Sequence, residues 1–447
     1  MTVHSSPLHS ILLVDFYWTR PKDPRVPLGH ASLLASLCAA GIPVVALALA
    51  VNDVEGRVDY AVEEILAAAA QVGPDCTLAI GAYVWAENLI RAVLPRLRRA
   101  GFAGPIILGG PQISHVGAGV ERLYPEADGF IRGYGEQVLV ELAQRPGRPQ
   151  LEGVHWRGER DLVKQAPVDL SALPSPFLTG IIDLENQDFV RWETQRGCPF
   201  MCSFCQHREA GAKLRDQLLL PDRIMREIDL FCSSAVNDIA VLDPIFNANP
   251  HAVAVLERFA EQNYQGRLAL QCRAEMTKAD FLDAAARLHS KLEFGLQTAD
   301  AAEGMAIRRP NRLDLVDKAL AGCRERGIHH EVSLIFGLPL QTLASFERTV
   351  QWCLERQAPV IKAFPLELLR GTPLDRDRQR WALRDDGSQL AKVVQSDSMS
   401  SRDWQRMHQL ADALALTEDH HPPTLDGLRA LACDLPPPPL PRWALAA

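Results

Sequence analysis

The sequence lacks a basic surplus: in 447 residues, 47 Lys and Arg stand against 55 Asp and Glu, for a formal charge of −8. A nucleic-acid scaffold needs a basic face to meet phosphates, so this balance argues against one, and no nucleic-acid partner is expected. Cysteine is dilute, ten in the whole chain, which is too thin for a disulfide-stapled secreted module. The opening MTVHSSPLHS has no basic segment followed by an apolar core. No secretory leader is expected there, and a reducing cytoplasm is the expected compartment. One charge-free run, 31–51, has about the length of a membrane span. Gly41, Ile42 and Pro43 break it in the middle, however, and a helix followed by a buried parallel strand carries the same hydropathy. The break falls where their connection should lie, so no membrane partner is expected.

What the sequence does contain is alternation. At roughly 150 residues per domain, the length allows two to three domains. Residues 1–148 alternate short apolar runs (11–15, 44–48, 77–80, 105–108, 129–132) with helical patterns (from Leu28, 60–72, 87–100, after Gly135). That pattern predicts an α/β fold, a Rossmann-like parallel sheet with ligands at the carboxyl ends of its strands. The turns there, Gly81-Ala82-Tyr83, Gly109-Gly110-Pro111 and Gly133-Tyr134-Gly135, line up as one binding rim. Residues 149–188 lose the pattern and read as a linker. A second series over 189–370, with strands at 189–193, 238–242, 268–272, 292–296, 332–336 and 360–364, predicts a partial six-stranded βα barrel. Residues 371–447 read as a helical region, 404–416 above all, with a proline-rich surface tail at 436–439.

The chemistry sits in Gly197-Cys-Pro-Phe-Met-Cys-Ser-Phe-Cys205. Cys198, Cys202 and Cys205 form a CxxxCxxC loop directly after a predicted strand. Three thiolates in eight residues can wrap one metal centre. Zinc would ordinarily want a fourth ligand on a second knuckle, and His207, one residue beyond Cys205, makes a poor one. A [4Fe–4S] cluster with three ligands keeps one iron open. The remaining seven cysteines (38, 76, 232, 272, 323, 353, 433) lie in apolar runs and read as core. His30 reads as a capping or buried histidine, Trp85 as core or, with Tyr83, a ligand-facing aromatic pair, and Arg308-Arg309 as a solvated loop pair or a bidentate grip on a carboxylate.

These residues resemble the radical S-adenosylmethionine (SAM) superfamily, in its branch with an N-terminal cobalamin-binding domain. The resemblance rests on the three-cysteine loop and on strand ends spread over the second half: Asp243-Pro-Ile-Phe-Asn247, Arg273-Ala-Glu275, Gly295-Leu-Gln297-Thr298 and Ser333-Leu-Ile-Phe-Gly337. It implies that the three cysteines hold the cluster, that the open iron chelates SAM, and that Phe204 lies near the adenine. It also implies SAM contacts from Asp243, Asn247, Glu275, Gln297, Ser333 and Gly337. The Gly-Gly-Glu common in that superfamily is absent, and the Asp243 segment stands in its place. Cobalamin is implied at Pro27, Leu28, Gly81, Tyr83, Val84, Gly109, Gly110, Pro111, Gln112, Gly133, Tyr134, Gly135 and Glu136. No DxHxxG motif supplies a histidine below the cobalt.

The activity this implies is C-methylation of an unactivated carbon of a small molecule or peptide natural product, with methylcobalamin as methyl donor and an external electron donor. About 80 residues follow the last barrel strand, which keeps a non-methylating deoxygenase, cyclase or rearrangement enzyme open on the same scaffold. A non-catalytic corrinoid or iron–sulfur sensor is the alternative of another class.

Overall fold

The structure is a computed structural model and describes residues 9–444 except 21, 22, 24, 25, 55, 74, 146, 186 and 208–216. The segment read for a leader falls mostly outside the described residues. The chain divides into two compact units, 1–188 and 189–447.

The first unit runs β1 (Ile11–Tyr17), α1 (Leu28–Ala39), β2 (Val44–Ala50), α2 (Val51–Val54), α3 (Val58–Val72), β3 (Thr77–Gly81), α4 (Glu87–Arg99), β4 (Ile106–Gly109), α5 (Pro111–Ser114), β5 (Gly129–Ile131), α6 (Glu136–Gln144) and β6 (Val154–Trp156). The sheet order is β2-β1-β3-β4-β5-β6, parallel except for β6, which pairs antiparallel with β5. Strand β1 is buried on both faces. Leu12, Val14 and Phe16 enter one core with α3 and α4, while Ile11 and Leu13 enter another with Leu37 of α1 and Leu139 of α6. This two-sided burial is why its sequence reads as an unbroken apolar run. The order 2-1-3 leaves a crevice at the carboxyl ends of β1 and β3, where consecutive connections depart in opposite directions. Strand β6 lies inside the segment expected to be a linker; three residues are too few to show a period. The charge-free run at 31–51 divides into α1 and β2, and no helix among the described residues is long and apolar enough to cross a membrane.

The second unit holds six parallel strands in sequential order: β7 (Phe189–Trp192), β8 (Asp238–Val241), β9 (Arg267–Cys272), β10 (His289–Gln297), β11 (His329–Phe336) and β12 (Val360–Pro365). Helices α7 (Pro221–Cys232), α8 (Ala252–Glu261), α9 (Ala279–Ala285), α10 (Ala301–Ala306), α11 (Leu313–Glu325) and α12 (Leu343–Glu355) fill the connections. Alternation along the strands sets the two faces. Leu292, Phe294 and Leu296, like Val332, Leu334 and Phe336, are fully buried, each large side chain contributing about 1.5–3 kcal/mol. Lys291, Glu293, Gly295 and Gln297 occupy the other face. Strands β7 and β12 are not paired with each other, so the barrel is open.

The C-terminal region is less purely helical than expected. After α13 (Pro373–Arg376) comes a short hairpin, β13 (Arg384–Asp385) with β14 (Val393–Gln395), before α14 (Ser401–Leu416) and α15 (Leu425–Cys433). The proline tail runs along α14, held by Gln405 donating to the Pro438 carbonyl at 2.8 Å. Of the seven cysteines expected in the core, Cys76, Cys272, Cys323 and Cys353 are buried. Cys232 is half-buried, and Cys38 and Cys433 are exposed, each at or next to the end of a helix on a face turned away from the core.

Candidate functional site

Trp192 closes β7 with its indole N–H donating to the buried Glu227 carboxylate of α7 at 2.6 Å, and the chain then enters the loop that carries the cysteines. The loop's entry is clamped. Asp243, just beyond β8 and fully buried, accepts from the backbone N–H of Thr194 at 2.7 Å, from that of Gln195 at 3.1 Å, and from the Thr194 hydroxyl. Asn249 donates to the same hydroxyl oxygen at 2.8 Å, and the Gln195 side chain donates to the Ile245 carbonyl at 2.8 Å. Gly197 has φ +72°, and a Cβ there would stand 2.6 Å from the Gln217 amide. Only glycine turns the chain into Cys198 at that point. The loop's exit is pinned as well: Ser203 N–H donates to the Ile307 carbonyl and its own carbonyl accepts from Leu374 N–H, both at 2.9 Å. Gln206 donates to the Arg370 carbonyl at 2.9 Å.

Cys198, Cys202 and Cys205 are free thiols of intermediate exposure. Burial pushes the Cys205 thiol up to about 11 and raises that of Cys198. Two guanidiniums face them. Arg309 brings Nη1 to 4.0 Å from Cys202 Sγ. Arg273 lies over the Phe200 ring at 3.9 Å and pairs with Glu275 at 3.3 Å. No three His, Cys, Asp or Glu among the described residues gather as ligands of one metal ion. An iron–sulfur cluster asks something different, because each thiolate takes its own iron. The donor set fits that group: three soft sulfurs on one pinned loop, beside a cationic wall that offsets thiolate charge.

The other strand ends divide into two kinds. Asp243 and Asn247, expected among the SAM contacts, are spent on holding the backbone. Asn247 accepts from Arg273 N–H and donates to the Arg273 carbonyl, both at 2.9 Å, so the end of β8 clasps the end of β9. The remaining four keep polar groups or backbone near the carboxyl ends. Glu275 has a buried Oε1 with no hydrogen-bond partner. Gln297 takes a left-handed φ of +68° just after a bulge at Gly295, and its amide folds over the space a Gly295 side chain would fill. Ser333 donates to Glu331 at 3.2 Å. Gly337 N–H donates at 2.7 Å to Gln341, which in turn donates to the buried Glu303. Phe204 is half-buried beside Cys205.

The rim of the first unit is equally divided. Pro27 caps α1 without a side-chain hydrogen bond, and Leu28 follows it. Tyr83 lies between Gly29 and Gly81: Cβ atoms on those glycines would stand 3.0 Å from its hydroxyl and 3.4 Å from its ring. Tyr83 also stacks on Trp85 at 4.7 Å, and the Trp85 indole donates to the Phe16 carbonyl at 3.0 Å. Val84 starts the short turn 84–86. Ala82 N–H donates to the Gly109 carbonyl at 2.7 Å and Gln112 N–H to that of Ala82 at 3.1 Å, which ties the β3 and β4 turns together. Gly110 and Pro111 form that second turn, while Gly133, Tyr134 and Gly135 form the third. Gln112 and Glu136 are both 5% exposed; Gln112 donates to Glu87 at 2.7 Å and Glu136 accepts from Ser32 at 3.1 Å, bonds that tie neighbouring helices together.

Two groups were given no role from the sequence, and a third was read differently. Asp15, on β1 opposite Gly81, is 4% exposed with Oδ1 unpartnered; an acid inside an apolar run was its only signal. Arg132 is buried and pairs with Asp161 at 2.7 Å, holding the β5 turn. Arg309, expected to be solvated, is 8% exposed, whereas Arg308 beside it faces out. Nothing in the pair distinguishes the two before folding. His30 is buried, and burial pushes its imidazole down to about 4.

A six-stranded open βα barrel with a three-thiol loop beyond its first strand, preceded by a doubly wound sheet, defines an α/β protein with a candidate metallocluster loop. Residues 192–353 match the family model of the Radical SAM superfamily. Among relatives, the 2-(S-pantetheinyl)-carbapenam-3-carboxylate methyltransferase of Streptantibioticus cattleyicolor is 25% identical over 75% of this chain and 56% of its own length. The cobalamin-dependent radical SAM methyltransferase TokK of Streptomyces tokunonensis is 26% identical over 68% of this chain and 48% of its own. The chain thus spans about half the length of these two methyltransferases. Among solved structures, the methyltransferase TsrM of Kitasatospora setae, with tryptophan substrate and aza-SAM bound, covers 95% of this chain and 96% of its own at TM-score 0.72 and 18% identity. The cobalamin-dependent enzyme OxsB, with aqua-cobalamin and SAM bound, covers 91% and 66% at TM-score 0.66 and 14% identity. At these identities the likeness shows a shared fold, in which both units take part.

Proposed function

We propose that this chain is a cobalamin-dependent radical SAM methyltransferase acting on an unactivated carbon of a small-molecule or peptide natural product. The observation that carries the reading is the pinned loop with three free thiols beside two guanidiniums, at the carboxyl end of the first barrel strand. The methyltransferase names of the two sequence relatives support the group transferred. The cobalamin in OxsB and the cobalamin and [4Fe–4S] cluster in TsrM support the cofactors.

When bound, the cluster supplies the electron that SAM cleavage consumes, and cobalamin carries the methyl group. The chain's own task is holding and orienting. Cys198, Cys202 and Cys205 would hold the iron, with Asp243, Asn249 and Gln195 fixing the loop from below. Phe204, Glu275, Gln297, Ser333 and Gly337 would orient SAM. In the first unit, the β1/β3 crevice with Pro27, Leu28, Gly81, Tyr83, Val84, Gly109, Gly110, Pro111, Gly133, Tyr134 and Gly135 would cradle cobalamin. An external reductant delivers the electron.

The test is product analysis. Anaerobically reconstituted protein, given SAM, cobalamin, a reductant and candidate substrates, is expected to release both S-adenosylhomocysteine and 5′-deoxyadenosine. Release of 5′-deoxyadenosine alone with a consumed substrate would point to the deoxygenase, cyclase or rearrangement class and sink methyl transfer.

A further inference from the structure

We propose that Arg309 is a positioning residue that acts through Cys202: its guanidinium, buried without a counter-ion, hydrogen-bonds the ligating sulfur and raises the reduction potential of the cluster. The inference rests on the reading that Cys198, Cys202 and Cys205 hold a [4Fe–4S] group.

The side chain is walled in. Nη2 donates to the Gly295 carbonyl, Nη1 points at Cys202 Sγ at 4.0 Å, and Nε is buried with no partner. Its backbone is fixed by donation to the Gly304 carbonyl at 2.8 Å. Next to it, Asn311 donates to the carbonyls of Leu296 and Thr298, both at 2.8 Å. No carboxylate pairs with Arg309 among the described residues, although the chain's guanidiniums are widely paired elsewhere. Arg273 in the same wall is neutralised by Glu275. The wall facing the thiols therefore keeps one uncompensated positive charge, and it belongs to Arg309.

A buried, unpaired cation costs several kcal/mol unless an anion reaches it. Among the described residues no carboxylate supplies that anion; a bound cluster with its cysteine thiolates would. On one-electron reduction the cluster gains a negative charge while no bond or proton changes place, so a cation at its edge stabilises the reduced form more than the oxidised one. Hydrogen bonds to the sulfurs and nearby charge are the levers by which a protein sets such potentials.

The experiment is a redox titration of the full, anaerobically reconstituted chain with dithionite as reductant, without SAM or cobalamin, read by the electron paramagnetic resonance signal of the reduced cluster. Arg309→Gln is expected to lower the ratio of reduced to oxidised cluster about tenfold at a fixed solution potential, a shift of about 59 mV. Arg309→Lys should recover most of it by restoring the charge. Glu275→Gln, which removes a negative charge from the same wall, should shift the ratio the other way. An unchanged ratio in Arg309→Gln at wild-type iron content overturns the inference and leaves the cluster reading standing. If that variant takes up no iron, Glu275→Gln decides, and an unchanged or lowered ratio overturns the inference. Wild-type protein that binds no iron overturns the reading beneath it.

Discussion

Asp243 grips Thr194 twice, accepting from its backbone N–H at 2.7 Å and from its hydroxyl, so the end of β8 is fastened to the entrance of the three-cysteine loop. Its carboxylate also takes the N–H of Gln195. Asp243→Ala would leave two buried N–H groups without acceptors, each costing about 1–3 kcal/mol. The expected outcome is a lower urea midpoint and a loss of at least half the iron after reconstitution. Wild-type iron content and midpoint together would show that the clamp is dispensable.

The legibility of this site follows from where its information resides. Cys198, Cys202 and Cys205 were readable because their spacing is itself the chemistry, and the twelve strands of the two sheets were readable, β6 aside, because burial on two faces leaves apolar runs, as in β1, and burial on one face leaves alternation, as in β10. Asp243 and Asn247 were placed at the site, but their roles were not readable. Whether a carboxylate meets a ligand or a neighbouring backbone depends on the register of β8 against β7 and β9, which no local pattern encodes. Arg309 shows the same limit more sharply: Arg308, its neighbour, has φ +55°, and that single turn sends one guanidinium outward and the other inward. Gln112 and Glu136 sit beside rim glycines in sequence, while the side-chain bonds to Glu87 and Ser32 depend on helix packing that no local pattern encodes.

Gly110 offers a test of the rim that does not depend on chemistry. Its φ is +92°, and a Cβ would come 2.9 Å from the Ala82 carbonyl oxygen, which already accepts from Gln112 N–H. Gly110→Ala therefore meets both backbone strain and a clash, and is expected to cost more than about 1 kcal/mol. The turns at Gly81 and Gly110 should separate, weakening cobalamin binding measured by visible absorption. Unaltered stability and binding would mean that the two turns need not be locked.

Loss of a cluster ligand separates chemistry from folding. Cys198, Cys202 and Cys205 are only half-buried, so exchanging any one for Ala should change the thermal midpoint of the apoprotein little, within the roughly ±0.5 kcal/mol usual for substitutions outside the core. Reconstituted iron, about four per chain in the wild type for a [4Fe–4S] group, should fall sharply, and SAM cleavage should vanish. A colourless wild-type preparation containing zinc would contradict the assignment of the loop.

Asp15 makes stability depend on pH with a sign that can be fixed beforehand. Burial raises its carboxyl from 3.8 in the unfolded chain to about 7 in the folded protein. Between those values the folded state binds a proton that the unfolded state has released, so the Asp15 contribution to stability declines as pH rises from about 4 to about 7. The span corresponds to an order of 4 kcal/mol at most. His30, held near 4, acts in the opposite sense, losing stability as pH falls below its unfolded value of 6.5, but it is common to both proteins in the comparison. Asp15→Asn carries no proton to lose. Urea unfolding of the full chain should therefore show the variant gaining on the wild type between about pH 4 and about pH 7. A difference that stays constant across that interval would place the Asp15 carboxyl in contact with solvent or a partner, against the geometry in which the unpartnered Oδ1 lies 3.5 Å from where a Gly81 Cβ would stand.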